Sequence, residues 1–319
     1  MATSVKLGLD LGNCTICAVG KLNGSYIYKY ISSTYISDID VYSKGDIVTV
    51  DNSTIQIGKQ YGSEFASINK YERLYLAHQI LWAVNAVYKD VDEATFILDL
   101  GIGLPINEYG AEDKRQKFQQ ALNSIKTITG NVDGKDIIVQ LSNIKIQAEG
   151  LGSIKALSAY IPKNNYPTLI YDIGFMTTDI VCVTFENKTV TVQRPVTINK
   201  GLNFVYSSIF KDLNSLGTIQ TKTELDYYVR MNFEKIKIRN GQDYNLQENL
   251  MKTENQCKTI LNDVTNALGV RGDNYNKIFI GGGSVLFIKI LGEQLVDEHV
   301  MIGNDLRYSA NALGYLMNL

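Results

Sequence analysis

Histidine and cysteine are scarce in this chain of 319 residues, which has two of the first and four of the second. Cys14-x-x-Cys17 looks like half of a zinc or redox site, but no second ligand pair accompanies it, and His78 and His299 lie in unrelated contexts. The motif falls in the turn and strand after Asp10, and it reads as structural, in keeping with a reducing cytoplasm. An excess of either charge is also missing: 31 basic against 33 acidic residues leave a net charge of −2. That balance excludes a broadly basic nucleic-acid surface and assigns any link to DNA to a partner. Nowhere do about 18 apolar residues run without a charge, so no membrane span is expected. The start, residues 1–13, carries an acid at Asp10 and no uninterrupted apolar stretch, unlike a signal peptide.

What is present is an ordinary globular balance, 45% hydrophobic and 20% charged, in a chain long enough for two domains with separate cores. Twenty tyrosines, many on polar segments, fit either a self-associating surface or a compositional bias toward Tyr, Asn, Ile and Lys.

The pattern along the chain alternates strands and helices. Lys6–Asp10, Thr15–Leu22 and Ser25–Tyr30 read as a meander, the last two joined by Asn23-Gly24. A polar tract over about 32–70, with short strands at Ile47–Val50 and Thr54–Ile57, reads as an inserted subdomain. Leu74, Ala77, Leu81, Val84 and Val87 form one stripe of a helix over Glu72–Tyr88. A strand at Phe96–Leu100 leads into the turn Gly101–Pro105, and a strand pair spans Ser124–Val139. Asn143–Ile146 reads as a separate short strand before a helix at Gly152–Tyr160. The tract Pro162–Pro167 marks a boundary, giving one domain over 1–165, rejoined by residues 305–319, and a second over 166–304 with its own insert at about 205–275. In the second domain, helices are expected at Leu202–Leu213, Lys222–Phe233 and Asn245–Leu268, and Arg307–Leu319 closes the chain as an amphipathic helix. Meanders in place of pure βαβ units predict mixed sheets in an α/β fold.

Two stretches are written to one plan. Val5–Val19 and Thr168–Val183 are each an apolar strand ending in an aspartate, a glycine turn and a second apolar strand. The turns are Asp10-Leu11-Gly12-Asn13 and Asp172-Ile173-Gly174-Phe175-Met176-Thr177-Thr178-Asp179. Backbone N–H groups of such turns cradle phosphate oxygens, and the carboxylates hold a hydrated divalent cation. Neither is a Walker loop, since no Gly-Lys-Ser/Thr follows, and neither is a dinucleotide fingerprint, since a strand follows each. Gly281-Gly282-Gly283-Ser284, after a strand at Lys277–Ile280, lets the backbone lie flat against a purine or simply makes a tight strand-to-helix turn. Gln147-Ala148-Glu149-Gly150 offers a carboxylate that could orient an attacking water, or an acid favoured at a helix start.

In this order and spacing the four elements resemble the duplicated, ribonuclease H-like fold of actins, sugar kinases and heat-shock chaperones, and within it the bacterial actin-like ATPases of the ParM type. Gly103-Leu104-Pro105, Gln147–Gly150, Asp172–Asp179, Gly201-Leu202-Asn203-Phe204 and Ser309–Tyr315 carry the finer resemblance, over residues 5–317. Phe175 and Met176 stand where that family has small residues, Ala148 replaces a frequent proline, and the inserts match nothing in it.

The resemblance implies an actin-like two-domain α/β fold with mixed sheets and a nucleotide cleft between the domains. It implies a filament-forming ATPase that drives plasmid segregation in the cytoplasm, polymerises with itself and reaches DNA through a small adaptor protein. Asp10 and Asp172 would hold Mg²⁺ through water, and Glu149, with Gln147, would act on the lytic water. Gly12, Asn13, Gly174, Thr177 and Thr178 would hold phosphates, Gly281, Gly282, Gly283 and Ser284 would take the nucleoside, and Cys14, Phe175, Gly201 and Asn203 complete the nucleotide site. ATP is the expected nucleotide, with GTP left open. A small-molecule kinase of the same fold and a non-polymerising nucleotide-binding scaffold are the alternatives.

Overall fold

A computed structural model describes residues 2–39, 45–58, 62–65, 70–164, 166–186, 189–239, 241–269, 275–295, 299–300 and 304–319. Parts of both inserts read from the sequence, including 40–44, 59–61, 66–69 and 270–274, lie outside the described residues. The chain forms two units, Met1–Ile161 with Ile302–Leu319, and Pro162–Met301.

Unit 1 is built on β1 (Ala2–Leu11), β2 (Thr15–Leu22), β3 (Ser25–Ser32), β4 (Thr34–Ile36), β5 (Asp46–Val50), β6 (Ser53–Ile57), β7 (Ser63–Glu64), β8 (Thr95–Leu104), β9 (Thr127–Val132) and β10 (Lys135–Ala148). They make one sheet in the order β3-β2-β1-β8-β10-β9-β5-β6-β4-β7. β1 is antiparallel to β2 and parallel to β8, so the sheet is mixed. Alternation along β1 sends Val5, Leu7, Leu9 and Leu11 to one face, into the core shared with the helix Leu76–Tyr88. The other face meets the closing helix Asn304–Met317, where Cys17 and Val19 pack against Ala312, Leu313 and Leu316. That helix comes so near that a methyl group on Gly8 would overlap the carbonyl oxygen of Ala312, and one on Gly314 that of Gly152. Tyr315, fully buried, fills a slot floored by Gly101, Gly103 and Gly152. The hairpin turns Asn23-Gly24 and Asp133-Gly134 have positive φ at both residues, the geometry that suits right-twisted strands.

Several boundaries differ from the sequence reading. The expected helix over Glu72–Tyr88 starts at Leu76, because Tyr75 is left-handed (φ 57°), and Leu74 lies exposed instead of on the apolar stripe. Lys70–Glu72 is a short 3₁₀ turn. Gly101–Leu104 is no turn: it continues β8 and pairs with β10. Asn143–Ile146 is not a separate strand, since a register shift between Leu141 and Asn143 lets β10 run on to Ala148. The helix expected at Gly152–Tyr160 shrinks to Ile154–Leu157. The strands of the first insert, finally, extend the main sheet through the β5–β9 pairing.

Unit 2 holds β11 (Thr168–Ile173), β12 (Thr178–Glu186), β13 (Thr189–Ile198), β14 (Lys235–Lys237), β15 (Asp243–Asn245), β16 (Asn276–Ile280) and β17 (His299–Val300). Five of them make a mixed sheet, β13-β12-β11-β16-β17, and β14 and β15 pair separately. β11 is buried at every position, as expected of a strand covered on both faces. Helices breaking at Tyr206 and Lys252 replace the longer ones expected at Leu202–Leu213 and Asn245–Leu268. The helix Lys222–Arg230 opens with Thr221 accepting the Glu224 N–H at 3.1 Å, while Glu224 accepts the Gln220 N–H at 3.0 Å.

Candidate functional site

In unit 1 the chemistry gathers where β1 and β10 leave the sheet. Asp10 pairs across the β1–β2 hairpin with Cys17, and the turn between them keeps Gly12 tight against the Thr15 carbonyl, where a methyl carbon would stand 2.5 Å away. Cys14 is buried and its carbonyl accepts the Ser33 N–H at 2.8 Å. Cys17 is buried too; desolvation and then the Asp10 charge push its thiol well up, which removes any thiolate chemistry.

Glu149 follows the last residue of β10, its N–H donating to the Leu104 carbonyl at 2.8 Å. The bend is completed by Gly150 (φ 71°), whose N–H donates to Asn311 Oδ1 at 3.0 Å. Gln147, the other residue expected near the water, is committed elsewhere. Its Nε2 donates to the Tyr315 carbonyl at 3.0 Å and its Oε1 accepts from Asn318 Nδ2 at 2.7 Å, which ties β10 to the closing helix.

Two cations that sequence reasoning missed complete this cluster. Lys70 forms an ion pair with Glu149 and stands 3.7 Å from Asp10 Oδ1, its side chain only 8% exposed. Burial alone would lower its pKa, but the carboxylates of Glu149 and then Asp10 outweigh that and raise it, so the ammonium is held charged. Arg73 donates to the carbonyls of Leu11 at 2.7 Å and Gly12 at 3.0 Å, and to Gln79 Oε1 at 2.8 Å. Its guanidinium therefore grips the first turn from behind, and burial brings its pKa down to about 10 against the pull of Asp10 and Glu149. Nothing in a polar tract reading Lys70-Tyr71-Glu72-Arg73 distinguishes these two from solvated surface charges. Only their spacing of three, just ahead of an apolar helix, hints at a shared face.

In unit 2 three sequence-expected segments come together. Gly201 packs on the second turn, where a methyl carbon would stand 2.5 Å from the Gly174 carbonyl, and Asn203 N–H donates to the Phe175 carbonyl at 2.8 Å. Gly283 N–H donates to the Ile173 carbonyl at 2.8 Å, and Gly281 (φ 81°) has no room for a side chain beside the Asp172 carboxylate. Ser284 is fully buried, its hydroxyl donating to the Gly281 carbonyl at 2.8 Å.

The two threonines turn inward. Thr177 donates to Asp179 at 3.2 Å, and Thr178, fully buried, donates to the Lys200 carbonyl at 2.8 Å. Phe175 is buried, while Met176 carries the exposed tip.

Asn203 Oδ1 accepts from Lys222 at 2.6 Å, and Arg230, bonded to Asp226 at 2.5 Å, lays its guanidinium against Gly282. Lys222 and Arg230 were not anticipated either. Among the described residues no three His, Cys, Asp or Glu side chains converge. A groove of about 760 Å³ beside the β10 bulge, lined by Gln119, Asn123, Lys126 and Gln140, contains none of these residues.

Comparison with known proteins follows the same division. The family described as actin like proteins, N terminal domain, matches residues 8–152, and that described as archaeal actin homologue MreB-like, C-terminal, matches residues 170–294. Among solved structures, a non-polymerisable quadruple mutant of pCBH ParM is similar at TM-score 0.78 and 18% identity, over 99% of each chain. A 15-stranded ParM filament from Clostridium botulinum is similar at TM-score 0.75 and 20% identity, over 100% of this chain and 99% of that one. An archaeal actin homologue in complex with ADP is similar at TM-score 0.71 and 18% identity, over 98% of both. No curated protein sequence matches the chain.

Proposed function

This chain belongs to the actin-like proteins, matched through both of its units, and from that premise we propose that it is a nucleotide-dependent, filament-forming ATPase that moves plasmid DNA. The observation that carries the reading is the repeated hairpin, aspartate then glycine turn, present once in each unit with the same register. Similar proteins solved as a ParM filament and as an ADP complex support it.

Each unit contributes its own groups. In unit 1 the backbone of residues 12–15 receives phosphate oxygens, Asp10 orders the waters of a divalent ion, and Glu149 orients the attacking water. In unit 2 the backbone of residues 174–177 does the same work as the first turn, with Asp172 in the place of Asp10. Gly281–Gly283, flattened against β11, take the nucleoside. A bound Mg²⁺ supplies charge neutralisation on the phosphates. Because hydrolysis is mostly positioning and electrostatics, closely fixed groups suffice, and no covalent residue is needed. ATP is the nucleotide assigned, with GTP as the competing choice. Net charge near zero fits a protein that reaches DNA through a small adaptor in the cytoplasm.

Self-assembly by a repeated head-to-tail contact produces an open array with a critical concentration. Specific nucleotide hydrolysis should therefore rise with protein concentration and require no acceptor substrate. Light scattering and sedimentation with ATP, GTP, the diphosphates and no nucleotide test this. A signal that appears with triphosphate and then decays is the expected result. Flat specific activity with no sedimentable polymer in any nucleotide state would overturn the filament reading in favour of a scaffold or kinase.

A further inference from the structure

Lys70 stands out among the charged groups of unit 1, because it touches both carboxylates of the candidate site. Its ammonium pairs with Glu149, the residue read as orienting water, and lies 3.7 Å from Asp10, at the mouth of the phosphate turn. Its backbone is fixed as well, with the N–H donating to the buried carboxylate of Glu108 at 3.2 Å. Three residues on, Arg73 holds the carbonyls of that same turn, so the 3₁₀ turn as a whole is locked to β1. The side chain is almost wholly buried, and a cation so placed needs an anionic partner at all times.

Resting on the hydrolytic reading above, the geometry has two consequences. A water oriented by Glu149 for hydrolysis would attack the terminal phosphate. On that reading, a group that touches both Asp10 and Glu149 would meet the terminal phosphate. An ammonium paired with Glu149 also occupies the carboxylate that has to hold that water. We propose that Lys70 reads the terminal phosphate: its ammonium passes from Glu149 to a phosphate oxygen when a nucleoside triphosphate binds, and Glu149 is thereby released to orient the water. A diphosphate offers no such oxygen and leaves the Lys70–Glu149 pair intact.

The test is direct binding of Mg²⁺ with the β,γ-imido triphosphates of adenosine and guanosine, and with ADP and GDP, to the full chain at neutral pH. Lys70→Met should lower affinity for the triphosphate analogue by roughly tenfold to a hundredfold, the scale of one charged hydrogen bond, and leave diphosphate affinity unchanged. Lys70→Arg keeps the charge and should keep most of the discrimination. Glu149→Gln frees the lysine from its partner and should raise triphosphate affinity, the opposite sign from Lys70→Met. A purely structural role for the pair would move both variants in one direction and both nucleotides alike. Should Lys70→Met unfold the protein, Lys70→Met combined with Glu149→Gln removes the unpaired charge, and the same comparison is made there. Wild-type protein that binds neither nucleotide would sink the hydrolytic reading and this one with it. Binding with a triphosphate-to-diphosphate ratio untouched by the loss of Lys70 would overturn this inference alone.

Discussion

The two glycine-turn hairpins share a frame and differ in what surrounds it. Asp10 pairs with Cys17 and Leu11 with Ile16 in one; Asp172 pairs with Asp179 and Ile173 with Thr178 in the other. Each leaves the turn, 12–15 or 174–177, outside the ladder, and each first strand runs parallel to a later one, β8 or β16. Around the first turn stand formal charges: Arg73 on its carbonyls, with Lys70 between Asp10 and Glu149. Around the second stand hydroxyls and close-packed backbone: Thr177 and Thr197 on Asp179, with Gly201, Gly281 and Gly283 against the turn and β11. The hairpin geometry proposed to receive phosphate has the same register in both units. Side chains differ more: among the described residues the buried cations Lys70 and Arg73 stand with Asp10 and Glu149 at the first turn, whereas Arg230 and Lys222 of unit 2 lie against Gly282 and Asn203 and leave the carboxylate of Asp179 to hydroxyls.

The sharpest way to break this comparison is Asp172→Ala. If the two turn carboxylates do equivalent work on the waters of a divalent ion, losing either one should abolish turnover and weaken Mg²⁺-nucleotide binding. Asp172 is the better choice, since removing Asp10 would also unbalance Lys70. Thermal unfolding should stay cooperative, because the β11 strand around it keeps its buried apolar residues. Mg²⁺-dependent turnover retained in this variant would show that the second turn has lost its chemical role and keeps only its shape.

Glu149 marks the difference itself: at the second turn the additional carboxylate is Asp179, which lies across the hairpin from Asp172 and is held by Thr177 and Thr197. Glu149→Gln preserves size while removing the acceptor, and hydrolysis should fall by about 10² or more, the lower range for a positioned base. Filaments should still form and should then persist. Glu149→Ala is the less clean variant, since it leaves a buried ammonium facing Asp10 alone. An unchanged rate in single-turnover measurements would reduce Glu149 to an ion-pair partner.

The frame was legible in the sequence and its charged lining was not, for a physical reason. Strand, aspartate and glycine are local signals: apolar alternation and a turn residue stand next to one another in the chain, and both hairpins could be read from them. β10 was read as two strands, one ending at Val139 and one starting at Asn143, whereas a register shift at Ser142 is all that separates Leu141 from Asn143 in one ladder. Lys70 and Arg73 are joined to Asp10, Glu149, Leu11 and Gly12 only through the fold. Alone in a polar tract, they have the composition of a solvated face. Arg230, against Gly282, is hidden in the same way at the end of an amphipathic helix. The hydroxyls of Thr177 and Thr178 were expected to serve phosphate from their place in the turn; their bonds to Asp179 and Lys200, set by the fold, could not be read there.

Those inward bonds give the smallest expected effect and the finest test of the contrast. Thr197 donates to Asp179 Oδ1 at 2.5 Å across the β12–β13 ladder, and Asp179 is nearly inaccessible to water. Thr197→Val keeps the shape of the side chain and removes that donor. The loss of one hydrogen bond to a buried carboxylate should lower stability by about 1–3 kcal/mol, seen as a lower urea midpoint with an unchanged slope. Turnover per folded subunit should scarcely move, because the hydroxyls of unit 2 brace the turn and do not touch the reacting groups. If turnover collapses while the urea midpoint holds, the second turn depends on its hydroxyls for chemistry. The division between a charged first turn and a merely braced second one would then have to be given up.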